Sequence, residues 1–488
     1  MLDSIATLFK ELEKNEIIYC HWKSNEHLLP AINGDTDLDV LFLPEQRTHL
    51  EKVLSNCGLK RFRSVPTAQY NAIEDYIGFD KKKAKIWHLH THYRMTFGET
   101  HLKGYTATPW GEYILENRVR GLNDIYTSDP STELALLYIR MAMKLTFKDL
   151  FRKISYDDLT EIKWLEERTD YNSVSNSIYY LAGEASKDEF EKMIQTPIIN
   201  RRQLFNFSFA LKKELVYFTG YSSFSRFFAR SKRIFSWLVG GISKRLSLNI
   251  SKPYSRVSPS GGSVIVFLGS DGAGKTTTIN HIKKELQKKL DVKTIYFGSG
   301  DGSSSLLRMP MKMVAKKVGG KGLGDSIEKE YKTKKYVSLK AKIYTFAKFI
   351  WAITLAQEKK SKLKDLTKSR NSGMIVLCDR YPQTVVEGFS DGPLLYKYRN
   401  ANGLLKYFAN WEYKIYESAR INPPDLVIKL LVNPVIAQSR KPEMTIDELN
   451  KKIAAVKSVH ISNEIMIDTS KDFSITVSEV MEAIWKII

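Results

Sequence analysis

The stretch Val264-Ile-Val-Phe-Leu-Gly-Ser-Asp-Gly-Ala-Gly-Lys-Thr-Thr277 decides the fold of the C-terminal half. Its opening apolar run, rich in β-branched residues, predicts a buried strand. The spacing Gly269-x-x-x-x-Gly274-Lys275-Thr276 follows, and a helical pattern runs from about Thr277 to Lys289. Strand, glycine loop and helix N-terminus are the context that a phosphate-cradling loop requires. Glycine lets backbone N–H groups approach an anion with no Cβ in the way, and the helix dipole favours negative charge there. The expected nucleotide cradle is Gly269, Ser270, Gly272, Ala273, Gly274, Lys275, Thr276 and Thr277. Lys275 is placed to neutralise β- and γ-phosphate charge and Thr276 to ligate Mg2+.

Working outward, a chain of 488 residues predicts two or three domains. Three widely spaced cysteines, Cys20, Cys57 and Cys378, have no metal-ligand spacing and suit a reducing cytoplasm. No basic segment precedes an apolar one at the N-terminus, so no signal peptide is expected. The best apolar runs, Phe235–Ile242 and Tyr344–Ala356, fall far short of the roughly 20 residues of a membrane span.

The formal charge of +21 is unevenly spread: −5 over 1–200, +26 over 201–380 and 0 over 381–488. A basic middle suits phosphorylated substrates, nucleic acid or an anionic membrane surface, or is simply a solvated face. Residues 201–256 interleave basic side chains with aromatics such as Phe224, Phe227, Phe228, Phe235 and Trp237, and 226–256 hold eight basic side chains and no acidic one. Within 201–256 that pattern suits a helix lying on an anionic membrane. It also suits a helix covering a neighbouring domain, aromatics inward and charge outward, with nucleic acid as a third partner. Ser247–Gly262, rich in Ser, Pro and Gly, reads as a linker.

The N-terminal half has its own informative segment. After a helical pattern over 1–15 and a strand over Ile17–Trp22 come Trp22-Lys-Ser-Asn25 and Gly34-Asp-Thr-Asp-Leu-Asp-Val-Leu-Phe42. Period-2 geometry puts Asp37 and Asp39 on one strand face, where paired carboxylates can hold Mg2+. The strand Lys85-Ile-Trp-His-Leu-His-Thr-His-Tyr93 likewise puts His88, His90 and His92 on one face. These imidazoles could bind a transition metal, hydrogen-bond a phosphate, stack in a polar pocket or form an exposed face without a ligand.

Ser24, thirteen residues before Asp37 in a turn after a strand, makes this segment resemble the polymerase-β-like nucleotidyltransferase fold. That resemblance implies a third carboxylate from a later strand, and the candidate strand carries histidine instead. The region Ser24–Trp110 is similar to the nucleotidyltransferase-fold half of bacterial fusions with thymidylate-kinase-like domains, whose pattern includes the His-x-His-x-His strand and the following Gly98-Glu99. Helical periodicity then dominates from Ser131, with Asp129-Pro-Ser-Thr-Glu133 as a helix start.

In the C-terminal half, Gly373-Met-Ile-Val-Leu-Cys-Asp379-Arg380-Tyr381 predicts a second buried strand with charge at its carboxyl end. Carboxyl ends of parallel strands face the ligand crevice, so Asp379 and Arg380 are expected to face the glycine loop. With Pro423-Pro424-Asp425 before a third strand and Asn433-Pro434 after it, residues 262–488 resemble the thymidylate kinase family of nucleoside monophosphate kinases. The resemblance implies ATP and Mg2+ as cofactors. It places Asp271 beside the acceptor phosphate, Asp379 and Arg380 on the acceptor, Arg440 and Lys441 at the start of a lid, and Asp468–Ser470 near adenine. Two departures stand out. Tyr296-Phe-Gly-Ser-Gly300 replaces an Arg-Glu-Pro-Gly-Gly type loop, and Pro382-Gln383 follows Tyr381 where a small hydroxyl residue is usual.

The sequence thus predicts an α/β protein. A nucleotidyltransferase-like α+β domain occupies 1–130, a helical extension and basic linker 131–257, and a P-loop kinase domain with a parallel sheet 258–488. The implied activity is an ATP-dependent phosphotransferase acting on a nucleoside monophosphate or a saccharide. The alternatives are a regulatory NTP-binding protein, or an NTPase acting at a membrane or on nucleic acid.

Overall fold

The computed structural model describes residues 1–145, 156–195, 201–246, 250–298, 339–387, 391–461 and 463–488. The Gly-Ser segment after Gly298 and the basic stretch up to 338 lie outside them. The chain divides into two compact units, Met1–Leu248 with Tyr254–Pro259, and Asn249–Pro253 with Ser260–Ile488.

The first unit is built on the strands β1 (Tyr19–His21), β2 (Leu38–Phe42), β3 (Lys60–Ser64), β4 (Ile73–Asp80) and β5 (Lys85–His92), the small pair β6 (Met95–Phe97) and β7 (Tyr105–Ala107), and β8 (Val119–Arg120), β9 (Tyr126–Thr127) and β10 (Arg256–Val257). All but the small pair form one mixed sheet in the order β10-β3-β4-β5-β2-β1-β9-β8. β2 runs parallel to β5, with Asp39 opposite His90. β4 runs antiparallel to β5, with Asp75 opposite His90.

Alternation sorts the two faces. Leu38, Val40, Trp87 and Leu89 join Ile5, Leu8 and Leu12 of the helix Asp3–Lys14 in one apolar core. Trp87 is fully buried because Gly78, its cross-strand partner, has no Cβ; one there would lie 2.3 Å from the indole. Its Nε1–H donates to Ser4 Oγ at 2.9 Å. With Trp87 locked inward, His88, His90 and His92 must all face the other side, since a one-residue slip would reverse every side chain.

The helix Pro130–Lys144 is buried along most of its length and carries the second core with the helices Tyr171–Ala182, Glu184–Ile194 and Arg201–Glu214. Asp129 caps it, accepting from the amides of Ser131 and Thr132.

Two expectations are corrected here. The Ser/Pro/Gly-rich stretch is not wholly a linker: Arg256 and Val257 pair as an edge strand with Ser64 and Arg63. The aromatics of 223–245 do not point inward. On the helix Ser223–Arg245, Phe224, Phe227, Phe228, Phe235 and Trp237 are 55–75% exposed. Inward, Trp237 touches the His101 ring and the other contacts include polar ones. Arg233 donates to the carbonyls of Gln69 and His101, Ser236 bonds Thr67, and Arg226 lies 3.4 Å from Glu99.

The second unit is a parallel sheet of β11 (Val264–Gly269), β12 (Val292–Tyr296), β13 (Ile375–Asp379), β14 (Leu426–Leu431) and β15 (Glu464–Asp468), in the order β12-β13-β11-β14-β15. The order puts β11 at the centre, so its run Val264–Phe267 is entirely buried. Val264, Val266, Val376, Cys378 and Val427 meet Leu366 and Ala419 of the helices Leu339–Asn371 and Leu404–Ile421 in one core. Register aligns Phe267 with Asp379 and Gly269 with Leu430, which brings the carboxyl ends of three strands together.

Candidate functional site

The glycine loop leaves β11 at Gly269 and enters the helix Lys275–Leu286 at Gly274. Gly272 and Gly274 have φ of +77° and +80°, a region open mainly to glycine. A Cβ on Gly272 would lie 2.7 Å from the Ala437 carbonyl oxygen, so a second constraint holds that position. The helix starts two residues earlier than its apolar pattern suggests, because Gly274 supplies the turn and Lys275 and Thr276 are its first residues. Thr276 and Thr277 are exposed, whereas Lys275 is buried. The Lys275 ammonium donates to the Gly269 and Ser270 carbonyls, both at 2.8 Å. Burial, and then the charge of Arg380, push it down to about 8.

Asp379 ends β13, and burial raises its carboxyl against the pull of Lys275 and Arg380. Its Oδ1 is buried without a hydrogen-bond partner, as is Ser270 Oγ. Arg380 takes a left-handed conformation, φ +68°, while its amide donates to the Phe267 carbonyl. Strain of this kind persists where surrounding structure imposes it. The guanidinium lies 3.7 Å from Asp271 and 3.4 Å from Asp391. Asp271 pairs with Lys452, which together with Lys275 and Arg380 holds its carboxyl below the usual range despite burial. Arg440 donates to the carbonyls of Gly272 and Thr469, so it sits directly on the loop. Lys441 points instead to Glu443 at 3.6 Å. Asp468 caps the turn through the Ser470 amide, and Ser470 in turn accepts from the Asn433 amide.

The structure therefore gathers Asp271, Lys275, Asp379, Arg380 and Arg440 at one end of the sheet. Sequence reading missed Lys452 and Asp391. Lys452 lies on the helix Ile446–Ser458, whose Thr445-x-x-Glu448 capping box is visible in the sequence. Asp391 holds both Arg380 and the buried Lys359, the latter at 3.6 Å.

A second group of ionisable residues lies in the N-terminal unit. Asp37 and Asp39 do share a face with His88, His90 and His92. His88 and His92 are fully buried, so the exposed-face reading is set aside. A further carboxylate, Asp75 of β4, stands behind two of the histidine rings. Asp75 Oδ1 lies 3.0 Å from His88 Nε2 and 3.2 Å from His90 Nε2. Ser64 and Arg256 hold Asp75 at 2.6 and 2.8 Å. Lys23 pairs with Asp39 Oδ2 at 3.0 Å. Burial opposes the charge on Asp39, but Lys23, His90 and His92 prevail and keep its carboxyl well below the usual range. Burial pushes His92 down to about 3.

Ser24 opens the turn after β1 at φ +54°. The turn is fixed by buried Glu133, which accepts from the Asn25 amide at 2.8 Å and from its side chain at 2.6 Å. Beside it a cavity of about 280 Å³ is lined by Trp22, Lys23, Lys103, Arg140 and Lys144. Burial, then Lys23, push Lys103 down to about 7, with Arg140 and Lys144 adding to the effect against Asp39.

No family model matches the chain. The Uncharacterized ATP-binding protein YghR of Escherichia coli strain K12 is 26% identical over 234 residues, spanning 46% of this chain and 86% of that protein. The Uncharacterized ATP-binding protein YghS of the same strain is 28% identical over 195 residues, 39% of this chain and 78% of that one. Among solved structures, thymidylate kinase from Ehrlichia chaffeensis is 18% identical with a TM-score of 0.26, covering 46% of this chain and 98% of its own. Thymidylate kinase from Candida albicans is 14% identical with a TM-score of 0.28, covering 46% and 92%.

Proposed function

We propose that the C-terminal unit is an ATP- and Mg2+-dependent phosphotransferase whose acceptor is a nucleoside monophosphate or a saccharide. The observation that carries this reading is the convergence of Lys275, Asp379, Arg380 and Arg440 on a glycine loop at the carboxyl ends of parallel strands. Phosphoryl transfer is accelerated mainly by position and electrostatics, and these cations are what a charge-dispersed transition state needs. Similarity to two proteins named as ATP-binding supports the donor. The residues also fit Mg2+: a carboxylate with an orphaned oxygen at Asp379 and an exposed hydroxyl at Thr276 would hold it. The ion would neutralise charge on the transferred phosphate. In the free protein Lys275 caps the loop carbonyls, and phosphate would draw its ammonium away from them.

For the N-terminal unit we propose a nucleotidyltransferase-like fold. The Ser24 turn, Asp37 and Asp39 on one strand face, and the cluster of cations around Lys103 support it. We propose further that the helix Ser223–Arg245 rests on an anionic membrane surface, because it carries an exposed aromatic face and no acidic residue. Among the described residues, no helix is long and apolar enough to cross a membrane.

The test of the kinase reading is mass spectrometry after incubation with Mg-ATP and a panel of acceptors: dTMP, other nucleoside monophosphates, sugars and saccharide precursors. One added phosphoryl group on an acceptor supports the proposal. ATP bound without any product would instead make the unit a nucleotide-binding regulator, and hydrolysis without an acceptor an NTPase.

A further inference from the structure

We infer that Asp37, Asp39, His88, His90 and His92 form a transition-metal site, built for an ion that takes imidazole and carboxylate ligands together and rejects Mg2+. The inference concerns metal binding alone and holds whether or not this unit transfers nucleotides.

Register creates the site. Parallel pairing sets Asp39 against His90, and alternation adds His88 and His92 on the same face. Two overlapping triads result, Asp37/His88/His90 and Asp39/His90/His92. In each, the possible ligand atoms all lie within 4.8 Å of one another. His90 belongs to both.

The neighbouring strand orients the rings. Asp75 Oδ1 meets Nε2 of both His88 and His90, at 3.0 and 3.2 Å. For His88, whose Nε2 faces Asp75 alone, the carboxylate fixes the proton on that nitrogen and leaves the other free to ligate. Nδ1 of His88 then faces Asp37 Oδ1 at 3.1 Å, and Nδ1 of His90 faces Asp39 Oδ1 at 3.3 Å. Arg256, which only donates, meets His90 Nε2 at 3.3 Å and Asp75 at 2.8 Å, so it sits behind the rings rather than among the ligand atoms.

One buried ring nitrogen calls for a cation. His88 is fully buried, yet its Nδ1 makes no hydrogen bond despite lying so close to Asp37. A bare ring nitrogen is an acceptor, and a positive ion held between it and the carboxylate gives it a partner. Asp37 and His90 are 33% and 21% exposed at the side chain, which gives an ion a way in.

The donor set selects the ion. Mg2+ and Ca2+ take oxygen ligands, whereas imidazole suits Zn2+, Fe2+, Ni2+ and Cu2+. Every carboxylate oxygen named here in a triad faces a ring nitrogen, so an oxygen-only shell would have to displace the imidazoles.

The experiment uses the tag-free full chain, stripped with chelator and kept free of nucleotide. It is titrated with Co2+, whose visible d–d absorption strengthens as nitrogen replaces water, and with Zn2+, read by elemental analysis after gel filtration. The expected result is one tightly held ion per chain that about a hundred-fold excess of Mg2+ does not displace. His90→Asn should weaken binding by at least about ten-fold. Because that change is partly buried, Asp37→Asn is made in parallel; it lies at the rim and should also weaken binding about ten-fold, with an unaltered melting curve. Absence of a stoichiometric ion, displacement by Mg2+, or affinity in both variants equal to that of the unaltered chain would overturn the inference.

Discussion

Raising the pH should weaken nucleotide binding while it strengthens the empty fold, and Lys275 is the cause of both. Its ammonium, buried on the Gly269 and Ser270 carbonyls beside Arg380, titrates at about 8 rather than at 10.5. A bound polyphosphate restores the charge, so binding above that value must take up a proton. Between about pH 7 and about pH 9.5 the protonated fraction falls about 30-fold, or about 2 kcal/mol of binding free energy. Folding carries the opposite sign. The unfolded chain holds this proton up to its ordinary value and the folded chain releases it near 8. Stability therefore rises with pH across that window, by up to about 3 kcal/mol. The assay is calorimetric titration of Mg-ATP over this range in buffers of different ionisation enthalpy, alongside urea melts of the free protein. Lys275→Arg keeps its charge, so its affinity profile should be flat, though weaker throughout. A flat profile in the unaltered protein, or the same slope in the arginine variant, would refute the reasoning.

Other expectations follow from single contacts. Gly272→Ala must place a Cβ at φ +77° against the Ala437 carbonyl; a loss of about 1–2 kcal/mol in thermal stability and at least about ten-fold weaker ATP binding are expected. Replacing Asp37 and Asp39 together by Asn should leave kinase turnover in the coupled ATP assay unchanged, and a strong loss would mean that the two units are functionally coupled. Phe227→Ser with Phe228→Ser should reduce co-sedimentation with anionic vesicles by about ten-fold or more, since each ring removes about 1.5–3 kcal/mol of apolar burial; neutral vesicles and high salt should bind the unaltered chain weakly.

What was legible in the sequence was local. The run Val264–Thr277 carries strand, turn and helix start within one window, and the strand that ends at Asp379 announces its own polar terminus. Asp271, Asp379 and Arg380 could be placed because parallel strands deliver their carboxyl ends to one edge. Partners that arrive from elsewhere could not. Lys452 meets Asp271, and Arg256 meets Asp75, each across 181 residues. No periodicity encodes such a meeting. Glu133 looked like part of a helix start, and its carboxylate instead braces Asn25 across the fold.

Asp75 is a different case, because a signal existed. The strands Ile73–Asp80 and Lys85–His92 flank the short polar turn Lys81–Ala84, which is a hairpin pattern. Counting back from Asp80 opposite Lys85 sets Asp75 opposite His90. An antiparallel neighbour presents its side chains to the same face as the histidine strand, so the register alone brings Asp75 to the rings. The helix Ser223–Arg245 shows the opposite limit. Its arginines and aromatics alternate closely enough that composition allows either face to pack inward. What decides is a set of acceptors on distant segments, the carbonyls of Gln69 and His101, which draw Arg233 down and leave the aromatics outside. A half-buried arginine whose donors meet backbone carbonyls keeps hydrogen bonds that phenylalanine could not make, so polar contacts set the helix's orientation and its aromatics stay outside.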